Sequence, residues 1–561
     1  MRNNQEGAHL KVLLLAGLGP YFKQYTDLVG TLFELHSRAL PLTPVNDETG
    51  SAFRLQDLIF TAPDGQARPL LRRERSGSLS LVVENQPEID RIPIPNLSAA
   101  TVLSILSDSD IEYEYLPLDA VWEANGEPSS DAFDYVLLST TFICDRISLA
   151  RAIAWITARM PNVPIIVGGQ FSNIKYAKVL RDHPEVTAVV RGDGELALPL
   201  LLQALEAGHD LATIPNVVFR NPLNGDIACN AIHYVDVESH PAPSFRGTTA
   251  IVPYESMRGC PFSCKFCSFP AASPKWRYKS AQKIANDWIH YRDVNGAVHI
   301  RALDSTFTIP HDRFHELLEL LPSVGIGWEA FTRANVLTSP AIIEALARAK
   351  CRTLSIGFES MSDNSLNYMN KLVSARQNRT AFQLLRASPV GYRASFMAGY
   401  PGETPDDYKE THDFLVNEYE GHFQLAVFSL QDETMPVWED AERFDIHVHD
   451  PENPDYSWRH SGMDVDTARA LRKETLHAVR WKNDGAVPFL WQPDYQTPLL
   501  PHRSSKVNYR VEKLVERIGF LPVDYPDPQQ SAAILRPILE ELNALGVVSQ
   551  SASANSAASH H

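Results

Sequence analysis

No run of apolar residues in this 561-residue chain approaches the ~18 that a membrane span needs. Its first residues, MRNNQEGAHLK, contain no apolar stretch leading to a cleavage site. A cytoplasmic protein is the expectation. Basic residues are in the minority, 51 Lys and Arg against 68 Asp and Glu, for a formal net charge of −17. That balance argues against a broad nucleic-acid footprint and against an anionic membrane surface, so neither is an expected partner. Cysteine is scarce. Six in a chain of this length cannot form a disulfide scaffold, yet three of them fall within eight residues, which speaks for metal binding in a reducing compartment. No repeat of solenoid period is visible. The remaining composition, 44% hydrophobic and 21% charged, is that of a folded chain, and its length suggests two to four domains.

The first region opens with a buried-strand pattern at Val12–Ala16, followed by Gly17 and Leu18. Two further apolar runs, Tyr135–Leu138 and Val163–Val167, bracket a helical stretch, Ile147–Arg159, in which Leu149, Ile153 and Ile156 share a face. A third run, Ala188–Val190, leads into Arg191-Gly-Asp-Gly-Glu195. Strand and helix in alternation, with glycines at the strand ends, predict a doubly wound α/β domain over 1–205 that binds its ligand beyond the carboxyl ends of its strands. Residues 21–95 read as an insertion near that edge. They carry Arg68, Arg72, Arg73 and Arg75, which suit either an anion or a solvated loop. Residues 206–250, rich in proline, read as a linker.

From 251 a second alternation begins, with strands expected at 251–256, 297–303, 326–332, 353–358, 392–400 and 424–430. Six strand–helix units in ~180 residues fit a partial (β/α)6 barrel over 251–430, whose site lies at the C-terminal strand ends. A mainly helical domain over 431–548 and a disordered Ser/Ala-rich tail over 549–561 complete the expected organisation.

The decisive segment is Arg258-Gly-Cys260-Pro-Phe-Ser-Cys264-Lys-Phe266-Cys267, at the end of the first barrel strand. Three thiolates at this spacing can wrap three corners of a [4Fe–4S] cube and leave the fourth iron open to a substrate or cofactor. A zinc site would want a fourth Cys or His nearby, and none follows.

Cys260-x3-Cys264-x2-Cys267 opening such a barrel resembles the radical S-adenosylmethionine (SAM) superfamily. The resemblance implies that the free iron is chelated by SAM and that Phe266 lies near the adenine. Asp304 and Ser305 stand where the family's second-strand motif helps hold the SAM amino group. Glu359 and Ser360 resemble the fourth-strand segment near the ribose, Gly399 to Thr404 the fifth-strand motif, and Arg333 is a further candidate for SAM. The N-terminal region resembles the cobalamin-binding domain fused ahead of such barrels. The candidate corrin contacts are Gly17, Leu18, Ser139, Thr140, Thr141, Gly168, Gly169, Gln170, Gly192, Asp193, Gly194 and Glu195. The Asp-x-His-x-x-Gly signature that supplies a lower histidine ligand to cobalt in several cobalamin proteins is missing from the chain.

Together these likenesses imply the cobalamin-dependent radical SAM methyltransferases, which move a methyl group from SAM through methylcobalamin to an unactivated carbon or a phosphinate phosphorus. The expected substrate is a small natural-product precursor, tryptophan-like compounds included, and an external electron donor is an expected partner. A ring-forming or rearranging enzyme with the same cofactors is the alternative. From another class, a non-catalytic iron–sulfur or corrin carrier would have no use for the motifs at 304, 359 and 399–404. After 431, Trp458 and Trp491 suit either a core or a substrate wall. Cys144, Cys229 and Cys351 read as ordinary buried thiols. His447 and His449 have strand spacing for a metal, with surface histidines the simpler reading.

Overall fold

Along the first strand Leu13 and Leu15 point one way and Val12, Leu14 and Ala16 the other, and all five are buried. A strand apolar on both faces demands a cover on each side. In this computed structural model helices supply both. The structure describes residues 10–17, 95–121, 126–129, 132–143, 145–430, 433–450, 457–488 and 504–546. It also gives the backbone alone of six short strands between 45 and 81. The chain divides into two units, one of residues 1–24, 93–262 and 267–326, the other of residues 25–92, 263–266 and 327–561.

In the first unit β1 (Lys11–Ala16), β2 (Glu112–Pro117), β3 (Tyr135–Ser139), β4 (Ile165–Gly168) and β5 (Val186–Val190) run parallel in the order β2-β1-β3-β4-β5. Helices α1 (Leu97–Asp108) and α4 (Gly194–Ala207) cover one face. Helices α2 (Arg146–Arg159) and α3 (Gln170–Asp182) cover the other. Leu149, Ile153 and Ile156 of α2 are buried, as their spacing predicts, and Asp145 caps the helix by accepting from the Ser148 N–H. Each such side chain taken fully out of water contributes roughly 1.5–3 kcal/mol. This is a doubly wound sheet whose strand order reverses at β1.

The expected linker needs correction. Within 206–250, β6 (Val217–Arg220) and β7 (Ile227–Cys229) extend the same sheet beyond β5 as antiparallel strands. The Asn224-Gly225 turn between them is a hairpin signal that the prolines obscured. The same unit holds β8 (Ile251–Tyr254) and β9 (His299–Ala302), paired in parallel, with α5 (Ala281–Asn295) between them and α6 (His311–Val324) after them.

In the second unit β10 (Gly327–Thr332), β11 (Cys351–Glu359), β12 (Gly391–Ala398), β13 (Gly421–Val427) and β14 (Ala486–Pro488) run parallel in chain order. Helices α7 (Pro340–Arg348), α8 (Ala375–Arg386), α9 (Pro405–Asn417) and α10 (Val465–Lys482) connect them. Capping boxes start α8 at Ser374 and α9 at Thr404. Along β12 the residues 392, 394, 396 and 398 are buried and those between them half-buried, so one face is fully packed and the other partly. The segment after 431, expected to be mainly helical, thus adds a strand to this sheet before α11 (Ser505–Asp524) and α12 (Pro528–Ala544). In the region of the expected insertion, the six short strands pair as three hairpins, the first being Val45–Asn46 with Ala52–Phe53. No helix among the described residues is long and apolar enough to cross a membrane.

Candidate functional site

In the first unit the cysteine loop leaves β8 through a clasp. Met257–Arg258 pairs antiparallel with Arg277–Tyr278, closing residues 259–276 into one excursion. Gly259 opens it with φ +77°, and a Cβ there would meet the Lys275 carbonyl oxygen at 2.6 Å, so only glycine fits. Asp304, just past β9, is buried and its burial pushes the carboxyl up to about 6. Its oxygens accept from Ser256 N (2.8 Å), Met257 N (2.9 Å) and Ser256 Oγ (2.6 Å). Ser305 Oγ donates to the Gly259 carbonyl at 3.2 Å. The two second-strand candidates therefore hold the entry to the loop from below. Cys260 and Cys267 are half-buried, and neither is in a disulfide.

In the second unit the middle of the loop, residues 263–266, is pinned by the turn after β11. Lys265 N donates to the Met369 carbonyl at 2.9 Å, and Asn370 Nδ2 donates to Ser263 O (3.0 Å) and Oγ (2.8 Å). Lys265 Nζ pairs with Asp440 at 2.5 Å. Cys264 is buried, and Arg333 Nη1 donates to its sulfur at 3.3 Å. Glu359 sits at φ +62°, a left-handed conformation rare for a side chain of its size, and its carboxylate pairs with Lys371 at 2.9 Å. The same ammonium lies 5.3 Å from the Phe266 ring centroid. Ser360 is fully buried and shares a hydrogen bond with Thr411 at 3.2 Å. Gly399 donates its N–H to Glu403 Oε2 at 2.7 Å. Cys264, Phe266, Arg333 and Glu359 are thus brought together through Lys371 and its turn, which no motif had singled out.

At the C-terminal edge of the doubly wound sheet the structure gathers the expected glycines and hydroxyls. Gly17 follows β1, Ser139-Thr140-Thr141 follow β3, Gly168-Gly169-Gln170 end β4 and start α3, and Gly192–Glu195 follow β5. Thr140 is buried and spent internally: it donates to the Gly168 carbonyl (2.9 Å) and accepts from Ser172 N (3.0 Å). A Cβ on Gly169, which has φ +102°, would lie 2.6 Å from Thr141 N, so the protein's own backbone fills the space that glycine leaves. Gln170 and Gly192 are exposed, and Thr141, Gly168 and Gly194 half-buried.

The acidic pair is engaged elsewhere. Asp193 is buried between Arg258 Nη1 (3.0 Å) and Arg277 Nη1 (2.5 Å), and Glu195 pairs with Arg258 Nη2 at 2.5 Å. Burial pushes the Asp193 carboxyl up, but the two guanidiniums more than offset that and hold it below its ordinary value. These carboxylates join the sheet edge to the cysteine loop.

Trp458 also needs correction as a candidate substrate wall. It is 1% exposed, its indole N–H donates to the Phe428 carbonyl at 3.0 Å, and its ring stacks on His460 and lies against Gly399. It is core. Leu18, Cys144 and Trp491 lie outside the described residues, as do the side chains of the 68–75 arginines. Cys351 is buried, whereas Cys229 is exposed and accepts from Arg191 Nη1 at 3.1 Å. His447 pairs with Asp445 at 2.7 Å on the surface. Among the described residues no three His, Cys, Asp or Glu side chains converge on one ion. A cube offers separate irons to separate thiolates, so its ligands have no need to.

Residues 254–415 match the Radical SAM superfamily. An uncharacterized methyltransferase of Pyrococcus horikoshii is 28% identical over 269 residues, which are 45% of this chain and 58% of that protein. The chain spans about half the length of the curated relatives it matches. Among solved structures, the radical SAM methyltransferase TsrM from Kitasatospora setae, with cobalamin and a [4Fe–4S] cluster bound, superposes with a TM-score of 0.56. The match has 14% identity and covers 80% of this chain and 97% of that one. The cobalamin-dependent SAM radical enzyme OxsB, with aqua-cobalamin and SAM bound, gives 0.56 at 18% identity, over 81% and 74%. Over residues 254–415 the chain is thus similar to the radical SAM superfamily, and its fold is like that of the solved TsrM and OxsB structures.

Proposed function

We propose that the chain is a cobalamin-dependent radical SAM methyltransferase that methylates a small-molecule precursor, with an external protein or chemical reductant as its electron source. The observation that carries this reading is Arg258. Two residues before Cys260, it is ion-paired to Asp193 and Glu195, where the loop after β5 enters α4. One guanidinium belongs to both the cysteine loop and the ligand edge of the doubly wound sheet, within one unit. An enzyme that passes a group between a cluster-bound SAM and a corrin needs those two loops held in fixed register.

The residues present fit the cofactors. Cys260, Cys264 and Cys267 would hold the cluster, with Arg333 placing positive charge beside one sulfur. Phe266, Glu359 and Lys371 would flank the SAM. Thr141, Gly168, Gln170, Gly192 and Gly194 would border the corrin, and no histidine stands in the loops after β3, β4 and β5. When bound, these groups supply an electron, a methyl donor and a cobalt that carries the methyl group. The chain's own part is positional. Asp304 and Gly259 set the loop's entry, Lys371 orders Phe266, and the buried Trp458 and His460 support the strand end at Gly399.

Anaerobic reconstitution tests this directly. About four irons and one corrin per chain are expected, with the iron lost when Cys260, Cys264 and Cys267 are all changed to Ala. Electron paramagnetic resonance of the Co(II) form is expected to show no nitrogen superhyperfine splitting from an axial base. Unchanged iron in the triple variant contradicts the cluster, and failure to bind any corrin removes the methyltransferase reading. Products heavier by one CH2 support methyl transfer, while a ring formed without that gain supports the alternative.

A further inference from the structure

Tyr400, the residue after Gly399, is fully buried, and its hydroxyl has no hydrogen-bond partner. An unpaired buried hydroxyl costs stability, and phenylalanine would fill the same space without that cost. The ring packs edge-on against Phe428 at 5.2 Å. Met369 belongs to the same apolar cluster, against which Phe266 packs. Since Met369 accepts the Lys265 N–H, and Lys265 follows Cys264, the cluster that holds the Tyr400 ring also carries the middle of the cysteine loop. Burial raises this phenol, and the acidic groups close enough to raise it further are Asp440 and Cys264. Asp440 is already occupied by Lys265. Of those two neighbours, Cys264 belongs to the cysteine loop, and an iron–sulfur cluster held there would bring further sulfur acceptors.

We propose that Tyr400 is a positioning residue of the metal centre, donating its O–H to a sulfur of the iron–sulfur cluster that Cys264 helps to hold. The proposal rests on the reading of the three cysteines as cluster ligands. A hydrogen bond to a cluster sulfur stabilises the electron-rich reduced form and raises the reduction potential. In the apoprotein the hydroxyl does nothing useful, so its removal there carries no penalty.

The test compares Tyr400→Phe with Tyr408→Phe, a buried tyrosine whose hydroxyl is paired with Thr475 at 2.9 Å. In reconstituted protein, potentiometry is expected to give a lower cluster midpoint for Y400F and an unmoved one for Y408F. In the apoprotein, denaturant unfolding is expected to show Y400F at least as stable as the parent and Y408F less stable. Reduced iron uptake by Y400F at undiminished apoprotein stability also supports the contact. An unmoved midpoint in Y400F, or an apoprotein weakened as much as Y408F, overturns it. If the parent protein takes up no cluster, both readings fall. If it does and Y400F leaves its potential unchanged, only the role of Tyr400 falls.

Discussion

Gly399 is gripped at both polar atoms of its backbone. Its N–H donates to Glu403, and its carbonyl accepts from His460 Nε2 at 3.2 Å, while His460 Nδ1 accepts from Gly402, Gly462 and Met463. Burial pushes the fully enclosed Glu403 from 4.5 up to about 7, and pushes His460 from 6.5 down to about 4. Their effects on stability oppose each other. Between about pH 4.5 and 7 the folded Glu403 keeps a proton that the unfolded chain has released, so stability falls as pH rises. Between about pH 4 and 6.5 the unfolded chain carries a His460 proton that the fold excludes, so stability rises. Over the shared window the two slopes cancel. Glu403→Gln should therefore unmask an increase in stability from pH 4 to 6.5, on the order of 3 kcal/mol, readable by urea unfolding at stepped pH. A slope no steeper than the parent's contradicts the assignment. Trp458→Ala should cost about 3–5 kcal/mol, the loss of a buried ring. If that variant instead unfolds like the parent and loses only turnover, Trp458 is a pocket wall after all.

Between elements, the join that matters is the one from the loop after β5 to the cysteine loop. Asp193→Ala leaves Arg277 without a carboxylate partner and Arg258 with Glu195 and Glu255 alone, in a largely buried setting, and should cost about 3 kcal/mol in unfolding measurements. A carboxylate that only touched the corrin would leave unfolding unchanged and weaken corrin binding alone. Which elements exist was legible wherever apolar periodicity is long: α2 starts one residue before its expected boundary, and β10 to β13 fall within a few residues of theirs. The β6–β7 hairpin was hidden for a physical reason. Strands of four and three residues carry too few apolar positions to outweigh the Asn221-Pro-Leu-Asn-Gly-Asp226 turn between them. β14 was missed likewise, being three residues between a helix and a stretch of mixed composition.

At the scale of the molecule, the cysteine spacing is what points to the proposed chemistry, because three thiolates on one loop have few other uses. The residues that hold that loop were not legible. Lys371, Arg258 and Arg277 act through ion pairs formed only after distant segments meet, and single charged residues in a sequence look like solvated surface. Asp193 and Glu195 were visible as a motif but assigned to a ligand, since nothing in the chain order reveals that two arginines 63 to 84 residues later claim them. The central claim is that SAM and a corrin meet on this chain for methyl transfer. The most direct measurement needs no substrate: reconstituted protein is mixed with reduced cobalamin and SAM labelled in its methyl group, and the protein-bound corrin is then isolated. The label should appear on the cobalt together with an equivalent of S-adenosylhomocysteine. A corrin that stays bound but unlabelled, with SAM unconsumed, would contradict the account.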